Sequence, residues 1–152
     1  MLVTRTGRVI GDPPPAGLVL IVEDHPMNRL LVERVLEQAG YETIAAGSIA
    51  AAERILKRRR PALIVLDLRL PDGDGSELAQ RLKSDPATAA CAIVACSAGT
   101  DPDDRRRTLE AGCDAYVSKP LDIWSFAGLV GELTGRGTET GGYDVVVPPS
   151  RP

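Results

Sequence analysis

Leu18-Val-Leu-Ile-Val-Glu-Asp-His-Pro26 is the stretch on which the reading of this chain turns. Five consecutive apolar residues, Leu18–Val22, suit a strand buried on both faces of a parallel sheet, and they end at two adjacent acids. Pro26 fits the first turn of a helix; Met27, Leu31, Val35 and Ala39 then recur at every fourth position, and Gly40 stops the run. This is a strand–helix unit with its charges at the junction.

The same alternation continues outward. Tyr41–Ala46 reads as a second strand, and Ser48 caps a helix running from Ile49 to about Arg59, where basic Lys57–Arg60 suits the negative helix end before Pro61. Ala62–Leu66 is a third strand, Pro71-Asp-Gly-Asp-Gly75 is turn chemistry, and Ser76–Lys83 is helical. Cys91–Cys96 makes a fourth strand, Pro102–Ala111 a helix ended by Gly112, Ala115–Ser118 a fifth strand, and Asp122–Leu133 a last helix. Five such units predict an α/β fold: a flavodoxin-like five-stranded parallel sheet, order 2-1-3-4-5, with right-handed crossovers and helices on both faces. A barrel would need eight strands.

Composition narrows the function classes. At 152 residues the chain fits one domain. Leu, Ile, Val and Phe make up 39 of the 152 residues, above the roughly 20% floor of disordered chains. A net charge of −3 lacks the basic footprint of direct nucleic-acid binding. No apolar run, Leu18–Val22 and Ala62–Leu66 among them, approaches the roughly 20 residues that span a bilayer. Met1–Gly17 has no secretory h-region, so a cytoplasmic protein is expected. Cys91, Cys96 and Cys113 show no metal or disulfide spacing and read as small buried hydrophobes. The expected layout is an N-terminal tail over 1–17, the folded domain over 18–133 and a flexible C-terminal tail over 134–152. Tyr143–Val147 is β-prone; a frayed end is favoured there over addition to a sheet edge.

In parallel α/β sheets, ligands bind outside the carboxyl ends of the strands where strand order reverses. Those ends carry Glu23 and Asp24, Asp67, Ser97 and Lys119. Two carboxylates about 4 Å apart repel by roughly 4 kcal/mol at an effective dielectric of 20, so three acids gathered there call for a cation. Hard oxygen donors on an open site suit Mg²⁺, usually held together with a phosphate. Three acids against Mg²⁺ and Lys119 leave a neutral site for a phosphoryl group. The first loop has no glycine, which argues against dinucleotide or P-loop binding, and Asp72–Gly75 lacks the calcium-loop frame, with Glu77 where glycine is needed.

These residues resemble the response-regulator receiver domain of two-component signalling over roughly Leu18–Leu133. The matching stretches are Val19–Asn28, Leu66–Gly75, Val94–Ala98 and Ala115–Pro120. The resemblance implies that Asp67 is the nucleophile accepting a phosphoryl group from a phosphohistidine. It implies that Asp24 and Asp67 hold Mg²⁺ directly, Glu23 through water, and that the Arg69 backbone carbonyl completes the protein ligands. Lys119 would neutralise phosphoryl oxygens and the Ser97 hydroxyl would donate to them, with Tyr116 as a switch aromatic that turns inward when Ser97 moves. Lys119–Pro120 matches the family's cis peptide. The protein is then a phosphoacceptor signalling module, with weak self-catalysed phosphotransfer and hydrolysis, rather than an enzyme. Its partners would be a sensor histidine kinase or histidine phosphotransfer protein and a downstream protein, with homodimer formation left open. A stand-alone receiver is expected, since no effector domain follows Leu133.

Several residues have plainer readings. His25 reads as a solvated loop histidine, Arg105–Arg107 and Lys57–Arg60 as solvated charged faces, and Trp124 with Phe126 as anchors of the last helix to the core. Arg69, two residues after Asp67, and Ser97, where the family more often has Thr, depart from the common pattern and bear on the lifetime of the acyl phosphate. A phosphorylation-independent receiver-like adaptor is the alternative function. An Asp-nucleophile phosphatase is weakened by Arg69, which stands where a second Asp would be required.

Overall fold

The computed structural model describes residues 17–98, 102–134 and 145–146. In chain order the elements are β1 (Leu18–Val22), α1 (Pro26–Gln38), β2 (Glu42–Ala46), α2 (Ile49–Leu56), β3 (Leu63–Asp67), β4 (Arg69–Leu70), β5 (Gly73–Asp74), α3 (Gly75–Ser84), β6 (Ala92–Ser97), α4 (Pro102–Glu110), β7 (Ala115–Ser118), α5 (Ile123–Leu133) and β8 (Val145–Val146). Five strands pair in parallel in the order β2-β1-β3-β6-β7, the expected 2-1-3-4-5 topology. The first strand therefore sits between the second and third, and the acids that follow β1 and end β3 become neighbours.

Alternation along the strands explains why helices cover both faces. Leu20, Val22, Ile64, Leu66, Ile93 and Ala95 pack with residues of α2 and α3. Val19, Ile21, Leu63, Val65, Val94 and Cys96 pack with residues of α1 and α5. Every residue of β1 and β3 is buried, as a strand covered on both faces requires. Burial pushes the Cys91 thiol up to about 11 and those of Cys96 and Cys113 up to about 12. All three are free and buried, so they act as small hydrophobes.

The structure corrects several local expectations. A two-residue strand, β8, pairs antiparallel with β7 through Tyr116↔Val146 and Val117↔Val145. Val145 and Val146 thus add to the sheet edge rather than fray, their backbone pairing with ladder groups that β7 would otherwise leave open. The other residues of Tyr143–Val147, like 1–16 and most of the C-terminal tail, lie outside the described residues. The α1 repeat marks a helix, but its buried stripe is Val32 and Leu36, while Met27 and Leu31 are 67% and 42% exposed. α2 ends at Leu56, short of Arg59, and Arg60 donates from its guanidinium to the freed Leu56 carbonyl. Trp124 is no anchor: it is 83% exposed, whereas Phe126 is buried. Asp122 caps α5 by accepting the Trp124 and Ser125 N–H groups, and the inward stripe runs through Phe126, Leu129 and Val130.

The Pro71–Gly75 turn does more than reverse the chain. β4 and β5 form a short antiparallel hairpin there. Asp72 at its tip accepts the Ile49 and Ala50 N–H groups at 2.9 and 3.0 Å, satisfying the start of α2 from another loop. These two bonds hold the Asp72 carboxyl below its ordinary value. Asp74 caps α3 through the Ser76 N–H at 2.9 Å. Gly75 starts α3 hard against the end of β3: its N–H donates to the Leu68 carbonyl at 2.9 Å, and a Cβ there would lie 2.3 Å from the Asp67 carbonyl oxygen. Gly75→Ala must displace backbone beside Asp67, and we expect it to lower unfolding free energy by about 1–3 kcal/mol in urea titrations. An unchanged midpoint would show that the close approach is not constrained.

Candidate functional site

The parallel register delivers the site. β3 ends on Asp67, whose partner across the sheet is Cys96, one residue before Ser97. Ser97 in turn pairs with Ser118, one residue before Lys119, and the Ser97 carbonyl accepts the Lys119 N–H at 2.8 Å. On the other side the Glu23 N–H donates to the Ala46 carbonyl at 2.9 Å, extending the β1–β2 ladder past Val22. The Lys119–Pro120 bond is cis, as the resemblance implies.

One oxygen from each of Glu23, Asp24 and Asp67 lies within 4.8 Å of the others. Glu23 and Asp67 are buried and Asp24 is exposed, so the cluster opens to solvent on one side. Lys119 Nζ sits 3.0 Å from Glu23 Oε2 and 3.1 Å from Asp67 Oδ2. Asp67 Oδ1 accepts the Arg69 N–H at 3.1 Å, and Glu23 Oε1 accepts the His25 N–H at 3.2 Å. A cavity of about 320 Å³ beside them is lined by Glu23, Asp67 and Lys119 together with Leu31, Ala98 and Pro120. An all-oxygen donor set around a single ammonium fits a hard divalent cation.

Burial pushes the Glu23 carboxyl above its ordinary value; the Lys119 hydrogen bond opposes this and the nearby Asp67 carboxylate adds to it. Burial alone would lower Lys119, but hydrogen bonds to Glu23 and Asp67 outweigh it and hold the ammonium protonated. One cation is therefore shared between two buried anions, with Asp24 beside them.

Ser97 is 1% exposed at the end of β6. Tyr116 is equally buried, already inward, with the Arg105 guanidinium 5.6 Å from its ring centroid. His25 is exposed in the loop, as expected, and also caps α1: its Nδ1 accepts the Asn28 N–H at 3.4 Å. Arg106 and Arg107 of α4 stay exposed, in keeping with a solvated charged face, and the helix's arginines also find partners within the molecule. Besides Arg105 over Tyr116, Arg106 pairs with Asp103 and Glu110, and Arg107 with Asp104 and Asp74. Sequence reasoning missed Arg29, which donates to the Glu23 carbonyl at 3.1 Å, and Asp104, a buried acid that pairs with Arg69 at 3.2 Å. Asp104 looks like an ordinary first-turn acid in the sequence, and only the fold brings Arg69 to it.

The raised Glu23 value has a stability consequence. Between the ordinary 4.5 and the raised value the folded state binds more protons, so stability falls as pH rises through that interval and the penalty persists at neutrality. Metal-free Glu23→Gln should melt higher than wild type at pH 7, with the advantage gone below about pH 4.5. A lower melting temperature at pH 7 would mean that the Lys119 bond outweighs the crowding.

Comparison with known proteins agrees with this geometry. The model of the response regulator receiver domain matches residues 19–128. The polar-differentiation response regulator DivK of Brucella anthropi is 35% identical over 108 residues, covering 71% of this chain and 88% of the relative. The receiver domain of a signal transduction histidine kinase from Syntrophus aciditrophicus superposes with a TM-score of 0.74 at 32% identity, covering 84% of this chain and 98% of that one. The receiver domain of a Pseudomonas aeruginosa sensor histidine kinase, solved with a magnesium ion coordinated in its active site cleft, gives 0.72 at 28% identity over 78% of this chain and 98% of that one. No helix among the described residues is long and apolar enough to cross a membrane. With matching family model and topology, this chain belongs to the response regulator receiver domain family, whose role is that of a phosphoacceptor in two-component signalling.

Proposed function

We propose that Asp67 is the phosphoacceptor of this receiver and that it is modified by a phosphohistidine on a sensor histidine kinase or histidine phosphotransfer protein. The observation that carries this is the Asp67 carboxylate at the end of β3, 3.1 Å from Lys119 and within 4.8 Å of the Glu23 and Asp24 oxygens. An Asp67 oxygen attacks phosphorus, the P–N bond breaks, and its electron pair stays with the donor imidazole, which takes a proton from solvent. The product is an acyl phosphate and a neutral histidine. Small phosphodonors serve equally, because the receiver's own residues assist the transfer; slow hydrolysis returns the carboxylate.

Glu23, Asp24, Asp67 and the Arg69 carbonyl would hold Mg²⁺, which supplies the positive charge that lets an anionic phosphoryl group approach anionic residues. Lys119 leaves the Asp67 oxygen it now contacts and follows the phosphoryl oxygens, remaining protonated throughout. The Ser97 hydroxyl donates to the same group. Tyr116 lies on the neighbouring strand, opposite Ala95, so a shift of the end of β6 toward the phosphoryl group reaches its ring and a downstream protein's docking face. A cytoplasmic setting fits this chemistry and the free buried thiols.

Intact mass after incubation with Mg²⁺ and acetyl phosphate should rise by one phosphoryl group, and Asp67→Asn should show no gain. Lys119→Ala should slow the gain by about 100-fold, the usual effect of removing one charge-stabilising donor. Absence of a gain in wild type would overturn the proposal, and Asp67→Asn binding the downstream partner as wild type does would favour the phosphorylation-independent adaptor.

A further inference from the structure

Asp104 stands in the first turn of α4 with its side chain only 4% exposed. A buried carboxylate needs compensation, and this one receives two guanidinium groups: Arg69 Nη2 at 3.2 Å and Arg107 Nη2 at 2.5 Å. Arg107 belongs to the same helix. Arg69 comes from the loop directly after the acceptor, and its backbone N–H donates to Asp67 Oδ1 at 3.1 Å. One residue therefore touches the acceptor carboxylate through its backbone and α4 through its side chain. A second link runs from Arg107 Nη1 to Asp74 Oδ2 at 3.3 Å, tying α4 to the cap of α3.

We propose that the Arg69–Asp104 pair is a latch that holds α4 to the acceptor loop in the unmodified protein and opens when Asp67 is phosphorylated; this rests on the phosphoacceptor reading above. The physical ground is competition for one guanidinium. The acyl phosphate carries about 1.5–2 negative charges where the carboxylate carried one, two residues away, and a planar guanidinium matches phosphate oxygens in a bidentate manner. The Arg69 side chain is 73% exposed, so it turns without breaking core packing. Once it leaves, Asp104 keeps Arg107 alone, and the first turn of α4 loses its tie to the loop. Linkage makes the effect reciprocal: whatever breaks the latch favours the phosphorylated state. Asp104 is thus a positioning residue, acting on the site through Arg69.

Arg69→Gln, Asp104→Asn and the double variant test this in the full chain with Mg²⁺ and acetyl phosphate, read by intact mass and by hydrogen exchange of the α4 amides. Wild-type α4 exchange should rise on phosphorylation. Either single variant should show α4 exchange about fivefold faster before any phosphorylation, the lower end of ordinary allosteric couplings. Phosphorylation should then add nothing, and the double variant should match each single one. Equal phosphorylation-driven rises in wild type and Arg69→Gln, or additive effects, would overturn the latch. If Asp104→Asn does not fold, Arg69→Gln at its exposed side chain decides alone. A mass gain with unchanged α4 exchange removes the latch only; no mass gain removes the phosphoacceptor reading and the latch with it.

Discussion

Three carboxylates held at the ends of adjacent parallel strands, with one ammonium between two of them, is the arrangement on which the rest of this protein depends. Such a cluster is unfavourable in isolation, because like charges are brought together and two of the three are withdrawn from water. The fold sustains it through backbone geometry. Continuous ladders from β2 to β7 fix where each strand ends, and the close approach at Gly75 leaves no space between α3 and the Asp67 backbone. Stored crowding is what gives a cation something to relieve. Lys119 offsets part of it, sharing its charge between Glu23 and Asp67 at 3.0 and 3.1 Å, and a proton remains favoured on Glu23 above the ordinary range.

The acidic side chains outside this cluster serve a different purpose. Asp72, Asp74 and Asp122 accept N–H groups at the starts of α2, α3 and α5, where a carboxylate meets the positive helix end. Asp104 belongs to neither group, being buried in the first turn of α4 and compensated by arginines from two elements. The hairpin of β4 and β5 thereby touches α2 through Asp72, α3 through Asp74 and α4 through Arg69. A change at Asp67, two residues before that hairpin, has short physical routes to three helices.

Much of this was legible in the sequence. Period and punctuation are enough for the five parallel strands: β1, β3 and β6 read as apolar runs that stop at a polar residue, and β2 and β7 fall between helical patterns. The convergence of Glu23, Asp24, Asp67, Ser97 and Lys119 followed from topology alone. Side-chain partners across long sequence separations were not legible: nothing in the spacing of Asp72 points to Ile49, nor of Asp104 to Arg69. Trp124 misled because an aromatic residue near a helix start signals burial only when it falls on the inward stripe, and that stripe begins at Phe126. The α1 repeat misled similarly, since spacing by four drifts around a helix of 3.6 residues per turn. Val145 and Val146 lie in a β-prone stretch, but the open edge on β7 with which they pair is visible only once the sheet exists.

The account is tested most directly by calorimetric titration of the unphosphorylated protein with Mg²⁺, comparing wild type with Asp24→Ala. Asp24 is exposed at the mouth of the cluster, so its removal tests cation binding without opening the core. Saturable binding of one ion per chain, weakened at least tenfold in Asp24→Ala by loss of a charged oxygen ligand, is the result expected, tenfold being about 1.4 kcal/mol. No binding by wild type, or equal binding by both proteins, would contradict a site built from these three carboxylates.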